Sequence, residues 1–340
     1  MTQVDRIQAW SEIANDFKDT LIVGNGGSIA LSESFSYKNL YKLGVDRGEI
    51  SSRTQEIFQK FSVNNDFEKV LRRLWAADFI NQKFEVDKEE QKKVRKPYTD
   101  VRRALIKTVK DIHPDQEQLV EGLSNIRKFC EKFTNVFSLN YDLTLIWAIE
   151  ASNNKALTKS FSDGFSSKES NSKLSTFVYE GRIDDGDTGV YYLHGNLCLC
   201  QTKATREEKK LASEDTGHSL VKQLTDYWAK NDAQPLFVCE GNSQEKLSSI
   251  AQSHYLSAVY ERLKSDCSES LAIYGWSISK GDQHILDAIK LNRSLKQVAV
   301  SVYKNDEVFQ DHAKQALSET GIKSILFFDS ESPGCWNNWN

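Results

Sequence analysis

Four short stretches carry residue types able to do chemistry, and each directly follows an apolar run. The first is Gly24-Asn25-Gly26-Gly27-Ser28, after Leu21-Ile22-Val23. Glycine lets a backbone pass close to a ligand and adopt positive φ. The helix expected next would aim free N–H groups and its positive dipole end at the same spot. That combination suits a pyrophosphate, and the alternative is a tight turn with no ligand. The stretch is not G-x-G-x-x-G, because Ile29 stands where the third glycine belongs, and no Gly-Lys-Ser/Thr follows to make a P-loop.

The second stretch is Ser138-Leu139-Asn140-Tyr141-Asp142. An amide such as Asn140 at a strand end can orient a ribose hydroxyl or a water. Asp142 reads more simply as the cap of a helix starting at Leu143. The third is Leu193-His194-Gly195-Asn196. A histidine titrates near pH 6.5 and so serves as a general base at neutral pH; a buried, hydrogen-bonded ring is the competing reading. The fourth is Gly275-Trp276-Ser277-Ile278-Ser279, where Gly275 and Ser277 could line a ribose or a phosphate. Asp282, just beyond, reads as a helix cap. His113, His218, His254, His284 and His312 are weaker candidates. No pair of histidines has metal-ligand spacing with a carboxylate nearby, and no cysteine pair is C-x-x-C, so no metal site is expected.

The elements that must hold these stretches follow from periodicity. Val4, Ile7, Trp10, Ile13 and Phe17 recur at helix spacing. From residue 37 to 132 amphipathic stripes predict a helical module inserted after the first strand–helix unit. One stripe is Phe67, Val70, Leu71, Leu74 and Trp75, with Asn65 or Asp66 as its cap. Another is Val101 to Ile112, broken by His113-Pro114-Asp115, and a third is Leu119 to Cys130. Beyond it, short apolar runs alternate with helical stretches. The runs are Val136 to Leu139, Val190 to Leu193, Leu236 to Cys239, Leu271 to Tyr274, Val298 to Val302 and Ser324 to Phe328. The helical stretches are Leu143 to Ala151, Glu245 to Leu263, Gln283 to Leu291 and Val308 to Leu317. This alternation predicts a single α/β domain over 1–340: a Rossmann-like, mostly parallel sheet with helices on both faces. Such sheets bind ligands beyond the carboxyl ends of their strands. Asn153 to Lys173 and Gln201 to Gly217 read as mobile, the latter as a solvated helix or loop.

Bulk properties narrow the function. The 340 residues carry 44 Lys+Arg against 48 Asp+Glu, a net charge of -4, which gives no basic excess for direct nucleic-acid binding. No apolar run reaches the roughly 20 residues of a membrane span, and the N-terminus lacks a secretory apolar stretch, so a cytoplasmic protein is expected. Six scattered cysteines should then be free thiols. Cys198 and Cys200 read as two small buried hydrophobes on one strand face. Trp336 and Trp339 could dock a neighbour or pack back onto the domain, the second being preferred.

Taken in order, the Gly24–Ser28 turn, the Asn140-x-Asp142 box, the His194-Gly195 pair and the Gly275-x-Ser277 turn resemble the motifs of the sirtuins. The resemblance spans most of the chain. It is closest to the sirtuin-like NAD hydrolases of bacterial anti-phage defence, because the two C-x-x-C pairs of the deacylase zinc ribbon are missing and the helical module stands in their place. The resemblance implies NAD as substrate, Asn140 and His194 as the catalytic pair with Asp142 beside them, and Gly24, Asn25, Gly26, Gly27, Ser28, Gly275 and Ser277 around the cofactor. It also implies a homo-oligomer and, in some relatives, a HerA-type ATPase partner. Cleavage of the nicotinamide–ribose bond passes through an oxocarbenium-like state. Asn140 would position the water and ribose hydroxyls, and His194 would take a proton from the water directly or through a ribose hydroxyl. An NAD- or ADP-ribose-binding regulatory subunit and a zinc-free NAD-dependent protein deacylase are the alternatives.

Overall fold

Thr20–Val23, four residues buried to the last atom, is the strand about which the chain reverses. The computed structural model describes residues 6–61, 67–112, 116–150, 160–169, 174–202, 205–213, 218–231, 233–238 and 242–339. In it Thr20–Val23 pairs in parallel with Asn135–Ser138 on one side and Ser270–Tyr274 on the other. Among the described residues the sheet has eight strands, all joined in parallel, in the order Ile7–Gln8, Ser324–Asp329, Gln297–Val302, Ser270–Tyr274, Thr20–Val23, Asn135–Ser138, Thr188–Tyr192, Phe161–Ser162. The inner strands Thr20–Val23, Ser270–Tyr274 and Thr188–Tyr192 are buried at every position, which requires helices on both faces and explains why they read as unbroken apolar runs. This is the expected Rossmann-like α/β fold. Asp19 fastens the starts of two central strands: its Oδ2 accepts from the Glu269 and Ser270 amides and from the Ser270 hydroxyl.

Several expectations are corrected. Ile7 does not sit on a first helix; Ile7–Gln8 is an edge strand on Phe327 and Phe328, and the helix is only Trp10–Ile13. The residues between Glu245 and Leu263 form two helices, Ser243–Ala251 and His254–Ser265, because the Ser253 hydroxyl caps the second. The run beginning at Leu236 is not part of the parallel sheet. Ala233–Phe237 belongs to a separate antiparallel sheet with Gly195–Thr202, Glu208–Ser213, Leu174–Tyr179 and Phe165–Glu169. Glu208–Ser213 thus places a strand where a helix or loop was expected, and Phe165–Glu169 another within 153–173; the rest of that stretch lies partly outside the described residues.

Within 37–132 the described residues form helices and no strand: Tyr37–Asp46, Ser52–Phe61, Phe67–Lys83, Lys88–Ile112 and Val120–Cys130. Lys88–Ile112 starts well before its apolar stripe, in a charged turn where Glu89 and Glu90 pair with Lys92 and Lys93. The expected cap at 65–66 and the break at 113–115 fall outside the described residues. The last of these helices, Val120–Cys130, packs Ile126 and Phe129 into the core of the parallel sheet. No helix among the described residues is long and apolar enough to cross a membrane. The five described cysteines are buried free thiols, Cys198 and Cys200 among them; Cys239 falls outside the described residues.

Trp336 packs back onto the domain. It stacks on Tyr274 with centroids 5.0 Å apart, meets Phe129 edge-on, and donates its indole N–H to the Gly27 carbonyl at 2.8 Å. Trp336→Ala should therefore cost about 3–5 kcal/mol of stability, read from urea unfolding. A loss below about 1 kcal/mol, the scale of a surface substitution, would mean that this ring is not part of the core.

Candidate active site

The sheet order reverses at Thr20–Val23, with Asn135–Ser138 leading one way and Ser270–Tyr274 the other. A crevice opens at such a switch point, beyond the carboxyl ends of the strands. Here it holds a cavity of about 900 Å³, within the range of small-molecule sites. Its wall includes Gly24, Asn25, Gly26, Asn140, His194, Gly275 and Ser277. All four sequence stretches therefore reach one place. Gly27, Ser28 and Asp142 stand behind the wall as supports.

Asn140 is held by the strand ends on both sides. Its backbone N–H donates to the Ser138 hydroxyl, and its side-chain Nδ2 donates to the Gly24 carbonyl at 3.1 Å and the Ser28 hydroxyl at 3.0 Å. The Gly24 oxygen can only accept, so the amide is fixed with its NH₂ toward Gly24. Oδ1 is left buried with no hydrogen-bond partner. Ser28 passes its own proton to Asp142 Oδ2 at 2.6 Å, and Asp142 Oδ1 accepts the Thr144 amide at 2.8 Å. The helix starts at Thr144, one residue later than expected, so Asp142 stands just before its N-cap position, takes its first amide and braces Ser28. Burial pushes its carboxyl up, and the bonds from Ser28 and Thr144 oppose that rise.

His194 lies at the step between the two sheets. Thr188–Tyr192 ends the parallel pairing, Gly195–Thr202 begins the antiparallel one, and the His194 carbonyl accepts the Val238 amide at 2.7 Å. Gly195 makes that step with φ of +71°, and a Cβ there would lie 2.1 Å from the Leu236 carbonyl oxygen. The histidine ring is buried, and its Nε2 faces Nε2 of His284 at 3.0 Å. Asp282 stands beside the pair. It does not cap its helix. Instead Oδ1 takes the Lys246 ammonium at 2.9 Å, and Oδ2 takes the Trp276 indole and the Ser279 hydroxyl.

His194, Asp282 and His284 thereby form a trio whose potential ligand atoms lie within 4.8 Å of one another, which the sequence reading missed. Its present geometry is that of hydrogen bonding. The place for a cation beside the carboxylate is filled by the buried Lys246 ammonium. The ring centroids are 5.2 Å apart, as for two nitrogens meeting in line. Rings converging on one ion, with N–metal bonds of about 2.0–2.1 Å, would stand roughly 4.7 Å apart at the same N···N distance. Burial pushes both histidines down, His284 to about 4, and Lys246 adds to the depression in each. Burial would raise Asp282, but the Lys246 ammonium and the hydrogen bonds from Lys246 and Trp276 hold it below the usual carboxylate range.

The glycines do a different job from the one expected. Gly24, Gly26 and Gly27 do not use positive φ, and the helix Asn25–Leu31 begins immediately after the strand. What they allow is contact: a Cβ on Gly24 or Gly26 would lie 2.6–2.7 Å from the backbone of Trp276 or Gly275. Positive φ falls on Gly275, at +65°. The Gly26 amide donates to the Gly275 carbonyl at 2.7 Å and the Gly27 amide to the Gly24 carbonyl at 2.9 Å, so neither is turned toward a ligand here.

A family model described as a domain of unknown function, DUF4917, matches residues 21–336. The chain belongs to this family. No functionally curated protein matches it significantly. Among the solved structures that overlap it are two that each share 12% identity over 92% of this chain and 98% of the other. One concerns the structural basis of sirtuin substrate affinity, with a TM-score of 0.32, and the other is Sir2 with a p53 peptide and NAD+, with a TM-score of 0.33. Overlaps this loose carry no argument about activity.

Sequence reasoning missed Lys246, Asp282 and His284 as a group. One signal was available: Lys246 shares the buried face of its helix with Ile250, where the period calls for a hydrophobe. The depressed histidines make stability pH-dependent with a definite sign. The folded chain keeps both rings neutral while the unfolded chain protonates below about pH 6.5. Their contribution is therefore full above that pH and is lost as pH falls toward the folded value, about 4 for His284. The loss runs at up to roughly 1.4 kcal/mol per pH unit for each ring. Urea midpoints should fall between about pH 6.5 and 4.5, and less steeply in His284→Gln. Identical profiles for the two chains would contradict the assignment.

Proposed function

We propose that this DUF4917 chain hydrolyses NAD at the nicotinamide–ribose bond, giving nicotinamide and ADP-ribose. The observation that carries the reading is the Asn140 oxygen, buried, unpartnered and part of a residue that lines the cavity next to His194. A buried acceptor without a donor costs stability, so its retention favours a ligand that brings one. A ribose hydroxyl or a bound water does. The site's dimensions suit a dinucleotide lying across the strand ends, with its pyrophosphate near Gly24 to Gly26 and its nicotinamide ribose toward Asn140 and His194; Gly275 and Ser277 would line the opposite side.

The chemistry asks little of the protein. The C–N bond breaks with its electron pair going to the cationic pyridinium, which leaves as neutral nicotinamide, so no strong acid is needed. Asn140 Oδ1 fixes a hydroxyl or the water. Water adds its oxygen to the oxocarbenium-like carbon, and the strongly acidic protonated oxygen so formed gives its proton to His194, directly or through a ribose hydroxyl, and from there to solvent, so the step does not need the ordinary histidine basicity that burial takes from this ring. Asp142 acts through Ser28, which holds the Asn140 amide. Bound NAD is the substrate; the reading requires no metal.

The sirtuin-like resemblance extends the proposal to NAD depletion in anti-phage defence within the cytoplasm. In that setting a homo-oligomer, alone or with a HerA-type ATPase, would govern activity. The test is nicotinamide release from NAD by the purified chain without peptide. His194→Ala should lower turnover by about 10²–10⁴-fold, and Asn140→Ala should lower turnover while NAD still binds. Near-full activity in His194→Ala would rule out its role as base, and release only in the presence of an acylated peptide would indicate a deacylase.

A further inference from the structure

The cavity runs along the strand ends, and its two ends differ in charge. Taken in strand order, its wall passes from His194 and Asn140 through Gly24 and Gly275 to Ser301 and Ser330. Each of these residues stands at or just beyond the carboxyl end of one of six neighbouring strands. Adjacent strands lie about 4.8 Å apart. Three strand steps separate Asn140 from Ser301, which makes about 14 Å. With the nicotinamide ribose at Asn140 and the pyrophosphate at Gly24 to Gly26, the adenosine ribose falls at the ends of Gln297–Val302 and Ser324–Asp329.

That end is built to receive donors. Asn337 Nδ2 donates to the Ala30 carbonyl at 3.1 Å, and Asn338 Nδ2 to the Ser330 carbonyl at 3.2 Å. A carbonyl only accepts, so both amides are fixed the same way round. The Asn337 oxygen is then buried with no hydrogen-bond partner, as the Asn140 oxygen is toward the other end. Both asparagines line the cavity.

The same end is also negative. Glu33, Asp306 and Glu331 stand in its wall. Among the described residues of the wall Lys246 is the only cation, and Asp282 holds it beside His194. Asp306 caps the helix Glu307–Ser318, where its Oδ1 takes the Phe309 amide at 3.0 Å. The helix N-terminus, where a phosphate would find amides and a favourable dipole, is thereby occupied by the chain's own carboxylate. Lys304 adjoins this end, but it is fully exposed, lies 4.9 Å from the Tyr303 ring centroid, and is within electrostatic reach of Glu33 and Glu331. Three carboxylates against that one ammonium leave the end negative.

We propose that this end of the cavity takes an unphosphorylated adenosine ribose, so that the enzyme selects NAD and rejects NADP. The inference rests on the NAD-hydrolase reading for the direction in which the dinucleotide lies. Discrimination comes from repulsion of the wrong ligand. A 2′-phosphate adds roughly −1.5 to −2 charges near neutral pH and brings acceptors to a place lined with acceptors. A 2′-hydroxyl brings a donor, which Asn337 Oδ1 or one of the carboxylates takes. Glu33, Asp306 and Glu331 are exposed, so salt screens their field and the selectivity depends on ionic strength.

The test compares NAD with NADP by nicotinamide release, and AMP with adenosine 2′,5′-bisphosphate by binding calorimetry, both on the full chain. At low ionic strength NAD should exceed NADP in kcat/KM, and AMP should exceed the bisphosphate in affinity, by about tenfold or more. Both ratios should narrow as salt is added. Asp306→Asn combined with Glu331→Gln removes two charges and keeps the helix cap, since asparagine caps as well as aspartate. In that variant the ratios should narrow at least about threefold, through a gain by the phosphorylated ligand. Equal use of NADP, a ratio that salt does not move, or a ratio unchanged in the double variant overturns the proposal. Selective AMP binding by a chain that releases no nicotinamide would sink the hydrolase reading and leave the adenosine end standing. Neither AMP binding nor NAD turnover would overturn both.

Discussion

The site depends on one hydroxyl. Ser28 sits at the reversal of the sheet, in the first turns of the helix that follows its central strand, and has a single proton to give. It gives that proton to Asp142 and takes one from Asn140. The Ser28 hydroxyl thereby donates to a buried carboxylate and accepts from a buried amide, and the amide is turned so that its oxygen is left over, as is the Thr144 hydroxyl beside Asp142. Buried polar groups are tolerated only when paired. Of the two exceptions, the Asn140 oxygen is the informative one, because Asn140 lines the cavity and Thr144 does not.

Around this cluster the backbone is drawn unusually close. The turn at Gly24 to Gly27 touches the turn at Gly275, and the Trp336 ring closes over Gly27 from behind. Neither contact leaves room for a side chain at those glycines. Across the cavity, Gly195 performs the matching task, letting the chain pass from parallel to antiparallel pairing directly after His194. The loop between the two sides also stores strain: Ile278, buried and β-branched, holds φ of +51°, which costs about 1–3 kcal/mol and persists because its surroundings impose it. These features give the site a rigid frame, which suits a reaction that needs fixed groups more than strong acids.

Much of this was legible in the sequence, and the reasons are physical. The inner strands are buried on both faces, so Leu21-Ile22-Val23 and Leu271 to Tyr274 stand out as runs. The strand-end rule then pointed to Gly24, Asn140, His194 and Gly275, which the fold brings to one cavity. The second sheet was hidden because Phe165–Glu169 and Glu208–Ser213 mix Ser, Lys and Glu with few apolar residues, and Glu208–Ser213 is only partly covered. Asp282 looked like a cap because its position permits one; its actual partner, Lys246, lies 36 residues away. His284 meets His194 across 90 residues, a separation over which periodicity carries no information.

The central claim is that the Asn140 oxygen and the His194 ring flank the nicotinamide ribose. It is tested most directly by a crystal structure with an NAD analogue whose nicotinamide–ribose link is carbon and cannot be cleaved. The account predicts that a hydroxyl of the nicotinamide ribose, or a water beside its first carbon, lies within about 2.6–3.2 Å of Asn140 Oδ1, with the His194 side chain beside the same hydroxyl or water. A nucleotide bound in the reverse direction, with adenine toward Asn140, or one bound outside this cavity, would contradict it.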